Sequence, residues 1–309
     1  MLKVFAKNPL IAAAVFISLA LLLSLFVNFG LAQVNVSSQS LEISPPSQEV
    51  QADPGQSVSV KAKVRNRTKD TLPIQVRIED FTAQGEEGQV ALIEKGPYSL
   101  TSWAAFDSSS FELGAGATRE VLATITVPKE AAGGRYGSFV FSIGGQAVPG
   151  TAAGVSQEVA SLFLVRISGP VNERLAITAF SAPSFLEFGP VPFTFKFENS
   201  GNVHVKPFGL INITDVFGRV VKDVVVRGEA NILPGATRVV QASYDKRFLI
   251  GPFKASANIN FGSKNESLAA TTTFFVFPVR IAAAILLVLF VLYISRKRLI
   301  KAIKALAGK

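Results

Sequence analysis

Between residues 33 and 277 apolar residues recur at every second position, and a period of two restricts this stretch to half-buried β-strands. Val58, Val60, Ala62 and Val64 alternate with Ser and Lys; Leu72, Ile74, Val76 and Ile78 alternate with Pro, Gln, Arg and Glu. Val121, Ala123, Ile125 and Val127 repeat the pattern, as do Phe193, Phe195 and Phe197, then Val240, Ala242 and Tyr244, then Phe253, Ala255, Ala257, Ile259 and Phe261. One apolar face per strand marks antiparallel sheets with one side on a core and the other in water. Asp53-Pro54-Gly55, Gly114-Ala115-Gly116, Gly133-Gly134, Ser200-Gly201-Asn202 and Pro234-Gly235 break the runs with turn-favouring residues. No helical period of useful length interrupts them.

The alternation repeats itself. Gly116-Ala117-Thr118-Arg119-Glu120-Val121 matches Gly235-Ala236-Thr237-Arg238-Val239-Val240. Each copy leads into an alternating strand and then, at similar spacing, into Gly134-Arg135-Tyr136 or Gly251-Pro252-Phe253. A duplicated domain explains the match and its context. The size and strand rhythm of each copy fit an immunoglobulin-like sandwich. The expected fold is therefore all-β: two tandem immunoglobulin-like antiparallel β-sandwiches, 33–169 and 170–277, joined at Gly169-Pro170. With no cysteine, the disulfide hallmark of antibody domains is absent, and the 25 Phe residues must supply the core instead.

The two ends read as membrane signals. Lys3 and Lys7 precede an almost wholly apolar run from Leu10 to Phe29, and Gly30-Leu31-Ala32 offers a cleavage site between Ala32 and Gln33. Residues 1–32 are thus a signal peptide, with an uncleaved signal anchor as the alternative. Near the other end, 278–295 reads as a transmembrane helix, with Pro278 in its first turn and Arg280 at the outer interface. Arg296, Lys297, Arg298, Lys301 and Lys304 follow at once, in a basic tail over 296–309. By the positive-inside rule that tail is cytoplasmic and 33–277 lies outside. The tail is either a short helix on the inner leaflet, attracted to anionic lipid, or a solvated stop-transfer segment.

Charge and chemistry exclude more than they identify. The formal net charge is +9, but all 22 Asp and Glu lie between 33 and 277, where 22 of the 31 basic residues balance them. A neutral body carries no basic footprint for nucleic acid. Cysteine chemistry is impossible, and His204 is the only imidazole, best read as structural or merely exposed. Glu79-Asp80 and Glu86-Glu87 read as solvated charges, and Asp215 lacks the neighbouring oxygen ligands of a calcium loop. No catalytic constellation, metal, cofactor or small-molecule substrate is expected. Four glycosylation sequons, at Asn35, Asn66, Asn212 and Asn265, decide nothing. Trp103, with Tyr98 and Phe106, forms an aromatic segment that either stacks on sugar rings or a partner, or plugs the end of a core.

Pro54-Gly55-Gln56 opens an alternating strand that ends at Asn66; Gly88 precedes Val90; Val127-Pro128 is followed by Gly134-Arg135-Tyr136-Gly137. Over roughly 40–165 these motifs make the first domain similar to the N-terminal domain of the WxL-interacting proteins, bacterial surface proteins with two Ig-like domains and a C-terminal membrane helix. That resemblance implies peptidoglycan binding by the first domain and protein binding by the second. The second domain departs from the pattern: Asn199-Ser-Gly-Asn-Val-His-Val-Lys-Pro207 and Leu233-Pro-Gly-Ala-Thr-Arg238 look like generic Ig-like domains of secreted surface proteins.

The expected role is a non-catalytic, membrane-anchored surface binding protein whose ectodomain holds cell-wall polymer or another surface protein. The alternative is a membrane-tethered extracytoplasmic chaperone or assembly factor acting by strand donation. Val159–Ile167 would then be the donor strand, with Phe163 and Val165 as contacts.

Overall fold

A computed structural model describes residues 40–147 and 154–306, with side chains over 40–143 and 157–296. The segment 1–32 and the Ala32–Gln33 cleavage point lie outside the described residues, as do the side chains of Lys297, Arg298, Lys301 and Lys304.

The alternating runs become two β-sandwiches. In the first, β1 (Leu41–Ser44), β3 (Ser57–Asn66), β8 (Thr118–Thr126) and β6 (Ala104–Phe106) form one sheet in the order β1-β3-β8-β6. Facing it, β2 (Ser47–Ala52), β10 (Gly154–Ile167), β9 (Gly133–Ala147), β4 (Leu72–Gln84) and β5 (Gln89–Ile93) form the other in the order β2-β10-β9-β4-β5, with β7 (Ser110–Leu113) also on β4. Inward residues of both sheets make one core; Val60, Val64, Phe139, Phe141, Phe163 and Ile167 are fully buried in it. Phe139 packs at 5.3 Å from Phe163 and 6.2 Å from Phe141 in tilted geometry, which fills the space between the sheets with aromatic area.

The second sandwich repeats this plan. One sheet is β11 (Leu175–Ser181), β13 (Val191–Asn199) and β16 (Thr237–Tyr244). The other runs β12-β18-β17-β14-β15, from β12 (Phe185–Leu186), β18 (Glu266–Val276), β17 (Gly251–Phe261), β14 (Phe208–Thr214) and β15 (Val220–Val226). Phe193, Phe195 and Phe197, inward on β13, are fully buried, and Phe180 stacks on Phe195 at 4.4 Å.

The duplication reaches one feature that alternation does not announce. β3 and β13 each end on a fully buried asparagine, Asn66 and Asn199. Asn66 Nδ2 donates to the carbonyls of Leu113 (2.9 Å), Asp70 (2.7 Å) and Gly114 (3.1 Å), while its Oδ1 accepts from the Thr68 N–H at 2.8 Å. Asn199 Nδ2 donates to Ile232 (2.7 Å) and Val203 (2.9 Å), and its Oδ1 accepts from the Gly201 N–H at 2.9 Å. Their backbone N–H groups donate to the Ala117 and Ala236 carbonyls, inside the repeated Gly-Ala-Thr-Arg turns. Those turns need Gly116 and Gly235, whose φ of +68° and +73° other residues rarely adopt. The same side chain thus ties strand end to turn in both domains, and it leaves the Asn66 sequon no free amide for a glycan.

Beyond β18 one helix, α1 (Val279–Leu306), leaves the sandwich. The Ala282 N–H donates to the Pro278 carbonyl at 2.9 Å, so Pro278 sits at the helix start, where its missing N–H costs nothing. Residues Val279–Arg296 are long and apolar enough to cross a membrane, with a mean hydropathy of 2.1 and none of the stretch buried. Arg280 Nε lies 3.4 Å from Glu187 of domain 2. The basic tail, expected as a separate surface helix or a solvated end, continues α1 without a break up to Leu306, because neither Gly nor Pro interrupts 279–306. Arg296 packs its guanidinium 4.5 Å from the Tyr293 ring.

Replacing Asn66 or Asn199 by Ala should destabilise its own domain by about 3 kcal/mol, the cost of stranding several buried backbone groups. Urea unfolding of each variant measures it; a loss under about 1 kcal/mol would show that water replaces the corner.

Candidate functional site

The linker between β10 and β11 is short, and the two sandwiches meet in a built junction. Phe81, Tyr136 and Leu164 of the first domain and Leu233 of the second share a small buried cluster. Tyr136 Oη and His204 Nδ1 are hydrogen-bonded at 3.3 Å, with the rings edge-on at 5.7 Å. The Gly134 N–H donates to the Asn202 carbonyl (2.8 Å), and a Cβ on Gly134 would lie 2.1 Å from Tyr136 Oη, so only glycine admits this approach. Glu173 on the linker accepts from Arg166 of β10 and from the backbone and hydroxyl of Ser263 on the β17–β18 turn (both 2.7 Å). Glu49 on β2 receives Lys206 Nζ and Asn231 Nδ2, both at 2.6 Å. The β4–β5 turn reaches over β16, where the Val239 N–H donates to the Glu86 carbonyl and Lys196 pairs with the Glu86 carboxylate, each at 2.6 Å. Burial, hydrogen bonds and ion pairs together hold the domains at one angle.

His204 is 5% exposed, and burial pushes its pKa down to about 4, against the pull of the Glu49 carboxylate. It stays neutral and acts as a structural part of the junction. On Glu49 burial acts the opposite way and would raise the pKa, but the hydrogen bonds from Lys206 and Asn231 outweigh it and hold the carboxyl below its usual range.

Beside the junction lies a cleft of about 220 Å³ with Phe81, Leu164 and Leu233 on its floor and Arg238 at its wall. Arg238 Nη1 donates to the Asn231 carbonyl at 2.6 Å, and the group has no carboxylate partner among the described residues. Burial lowers its pKa from the ordinary arginine value. The equivalent residue of the repeat, Arg119, lies instead over the Phe111 ring at 4.1 Å. The cleft can seat a small polar group, and the sequence signal for it, the Gly-Ala-Thr-Arg match, marked the turn and not the cleft.

A further feature is the edge of β10. β2 pairs with β10 in parallel only over Leu162–Ile167, starting where the Leu162 N–H donates to the Pro46 carbonyl and ending where the Ser168 N–H donates to the Ala52 carbonyl. On its other side β10 pairs with β9 from Gly154 to Ile167, with one register shift between Val155 and Gln157. Before Leu162, therefore, β10 has one paired edge and, among the described residues, one open edge. Because Leu162 turns its N–H toward β2, alternation turns the backbone groups of Ala160 and Glu158 the same way, into the opening. Val159 between them is half-buried against the domain core. β18 repeats the arrangement, with β12 covering only Phe275 and Val276. Its open part includes Thr271, Thr272 and Thr273, as the open part of β10 includes Gln157, Glu158 and Ser161.

This geometry revises the expected donor strand. Phe163 and Val165 are each 0% exposed, point into the sandwich, and belong to the half of β10 that β2 already covers. The aromatic segment is split as well. Trp103, on the 3₁₀ turn Thr101–Trp103, and Phe106 pack half-buried against the first core, with Arg135 5.1 Å over the Trp103 ring. Tyr98 turns instead to the junction, 6.0 Å from Tyr136. Buried Asp80 shapes this segment by accepting from the N–H groups of Leu100 (2.9 Å) and Thr101 (3.0 Å) and the Thr101 hydroxyl (2.6 Å). Burial alone would raise its pKa, but hydrogen bonds, with those of Ser99 and Thr101 foremost, hold it below the usual carboxylate range. No group of three His, Cys, Asp or Glu among the described residues is placed to hold a metal.

Two outcomes follow. Phe163→Asp should unfold the first domain rather than remove one function, as a circular dichroism melt would show. His204 gains a proton only near pH 4 when folded but already near 6.5 when unfolded. The unfolded state therefore binds more protons in that window, and stability present above pH 6.5 is lost as pH falls. The Tm of the wild type should drop between pH 6.5 and 4.5 while that of His204→Gln stays level; parallel curves would contradict a buried neutral His204.

No family model matches the chain, and no curated protein does. Among solved structures, the class 5 fimbriae chaperone CfaA is 14% identical, with a TM-score of 0.39 over 76% of this chain and 98% of that one. The complex of the Salmonella enterica SafA pilin with the SafB chaperone is 12% identical (TM-score 0.35, over 78% and 98%). The Pseudomonas aeruginosa CupB2 chaperone is 10% identical (TM-score 0.32, over 73% and 97%). These are likenesses of architecture only.

Proposed function

We propose that this chain is a non-catalytic, membrane-anchored extracytoplasmic binder of extended polypeptide, an assembly or chaperone protein that holds a strand of a surface protein along β10. The open edge of β10 carries this reading. A strand with unpaired N–H and C=O groups over a half-buried Val159 is a template for strand addition, with backbone bonds for affinity and side-chain pockets for selectivity. The fixed junction supports the role, because a rigid platform adds no ordering cost to capture. Fimbrial chaperones among the similar structures agree with the reading but lend it no weight.

The anchor is α1, and the basic residues from Arg296 onward orient it with the sandwiches outside. Wall polymer is the weaker partner, since Tyr98, Trp103 and Phe106 do not form a common exposed platform for sugar rings.

A photoreactive residue at Glu158 of the full chain, expressed in its source cells, should crosslink to a defined protein, while one at Lys222 on β15 should not. Ala160→Pro removes an outward N–H without touching the β9 ladder, so it should cut the Glu158 adduct about tenfold, roughly 1.4 kcal/mol of binding, in a protein that still folds. Adducts unchanged by Ala160→Pro would sink the proposal. So would their absence from a chain that sediments with washed wall material, which would return wall polymer as the ligand.

A further inference from the structure

The end of domain 2 next to α1 carries apolar side chains that no element among the described residues covers. β14 and β18 run in the same direction, and Thr214, Lys254 and Thr273 share one rung across β14, β17 and β18. Val276, three residues further along β18, lies about 10 Å past that rung at roughly 3.3 Å per residue, and on the same side of the rung the β14–β15 turn, Asp215–Gly218, reverses the chain with Phe217 at its tip. α1 begins at Val279, so this level is where the sandwich meets the start of the span. There Val216 is 61% and Phe217 78% exposed, and on the loop between β16 and β17 Phe248 is 65% and Ile250 69% exposed. Gly251, right after Ile250, pairs with Val276 and so fixes that loop at the same level.

These side chains are presented, not loose. Asp215 Oδ1 accepts from the N–H groups of Phe217 (2.9 Å) and Arg219 (3.0 Å), and its Oδ2 pairs with the Arg219 guanidinium at 2.7 Å. Arg219 in turn lies 5.1 Å from the Phe217 ring. Phe248 packs edge-on against Phe188 at 6.0 Å, and the Arg247 carbonyl accepts from the Gly189 N–H at 3.0 Å. Next to Phe248, Lys246 and Arg247 are exposed, with no carboxylate partner among the described residues. Rigid loops that hold aromatic and aliphatic tips out beside free cations match the bilayer interface, where apolar groups enter the acyl boundary and Lys or Arg meet anionic headgroups.

We infer that domain 2 rests on the outer leaflet of the bilayer through the β14–β15 turn and the β16–β17 loop, with Phe217, Phe248 and Ile250 in the interface and Lys246 and Arg247 on anionic headgroups. The inference rests on the reading of α1 as a membrane span. That span starts next to the patch and brings the membrane to it; among the described residues, the chain itself delivers no other partner there. Contact at three points of one domain end would stand the sandwiches upright. The β17–β18 turn, which meets the domain linker through Ser263 and Glu173, would then lie about 36 Å from the membrane, the length of the 11-residue β17. The open edge of β10 would sit beyond it, clear of the lipid.

The chain has no cysteine, so single spin labels can be placed at will. The full chain would be reconstituted in phosphatidylcholine–phosphatidylglycerol vesicles with a label at Phe217→Cys, Ile250→Cys, Lys246→Cys, Lys264→Cys or Leu287→Cys, and its accessibility to oxygen and to a nickel chelate compared. Lys246→Cys samples the patch without removing an apolar side chain. The expected order is Leu287 deepest, Phe217 and Ile250 at interface depth, Lys246 at the headgroups, and Lys264, on the far turn, in water. Phe217, Ile250 and Lys246 labels as aqueous as Lys264, with Leu287 deep, would overturn the inference and leave the anchor standing. Patch labels shielded from both reagents would overturn it in favour of a protein contact. A Leu287 label in water would overturn the anchor and this inference together.

Discussion

Everything distinctive about this protein depends on where β2 stops covering β10. A sandwich of this plan begins with a chain that serves both sheets: β1 bonds to β3, then Pro45 and Pro46 carry the chain across, and β2 bonds to β10. One strand cannot cover both edges over their full length, so each sheet is covered along only part of its border. Over Leu162–Ile167 the result is a closed, core-bearing edge with Phe163 and Val165 inside. Over Glu158–Ala160 it is a row of outward backbone groups. The closed edge and the open one are two halves of one strand, divided at a single hydrogen bond from Leu162 to Pro46.

The junction turns that local opening into a positioned one. Tyr136, His204, Glu49 and Glu173 are spent on holding the second domain against the first, and none of them faces the β10 opening. The one histidine therefore belongs to architecture: burial keeps it neutral, and its ring closes the contact with Tyr136. Asp80 is spent in the same way on the segment that carries Trp103. Buried Tyr136, His204 and Asp80 are costly to leave unpaired, and each is found with its partners.

The strands were legible because burial on one face writes itself into the sequence with a period of two, as in Val58–Val64, Phe193–Phe197 and Phe253–Phe261. The duplication was legible through Gly116 and Gly235, where the turn requires a positive φ. Other features leave no local trace. Nothing local marks Asn66 and Asn199 as buried anchors, because their partners, Leu113 and Ile232, lie far along the chain. The split of β10 was illegible because Val159, Phe163 and Val165 alternate alike, whether or not another strand lies alongside. Trp103 stays open between a binding aromatic and a plug of the core in the sequence, because periodicity cannot tell a loop residue that folds back on the core from one that faces solvent. The apolar tips at Phe217 and Phe248 gain meaning only from register, which sets them next to the start of α1.

Amide hydrogen exchange along β10 tests the central claim most directly. In the full chain in lipid nanodiscs, free of partner, the amides of Glu158 and Ala160 should exchange fast, those of Gln157, Val159 and Ser161 slowly, and every amide over Leu162–Ile167 slowly. Alternation before Leu162 and uniform protection after it is the signature of an edge half covered. Slow exchange at Glu158 and Ala160 as well would mean that the protein closes this edge itself, and the proposed capture of a client strand would have no place to occur.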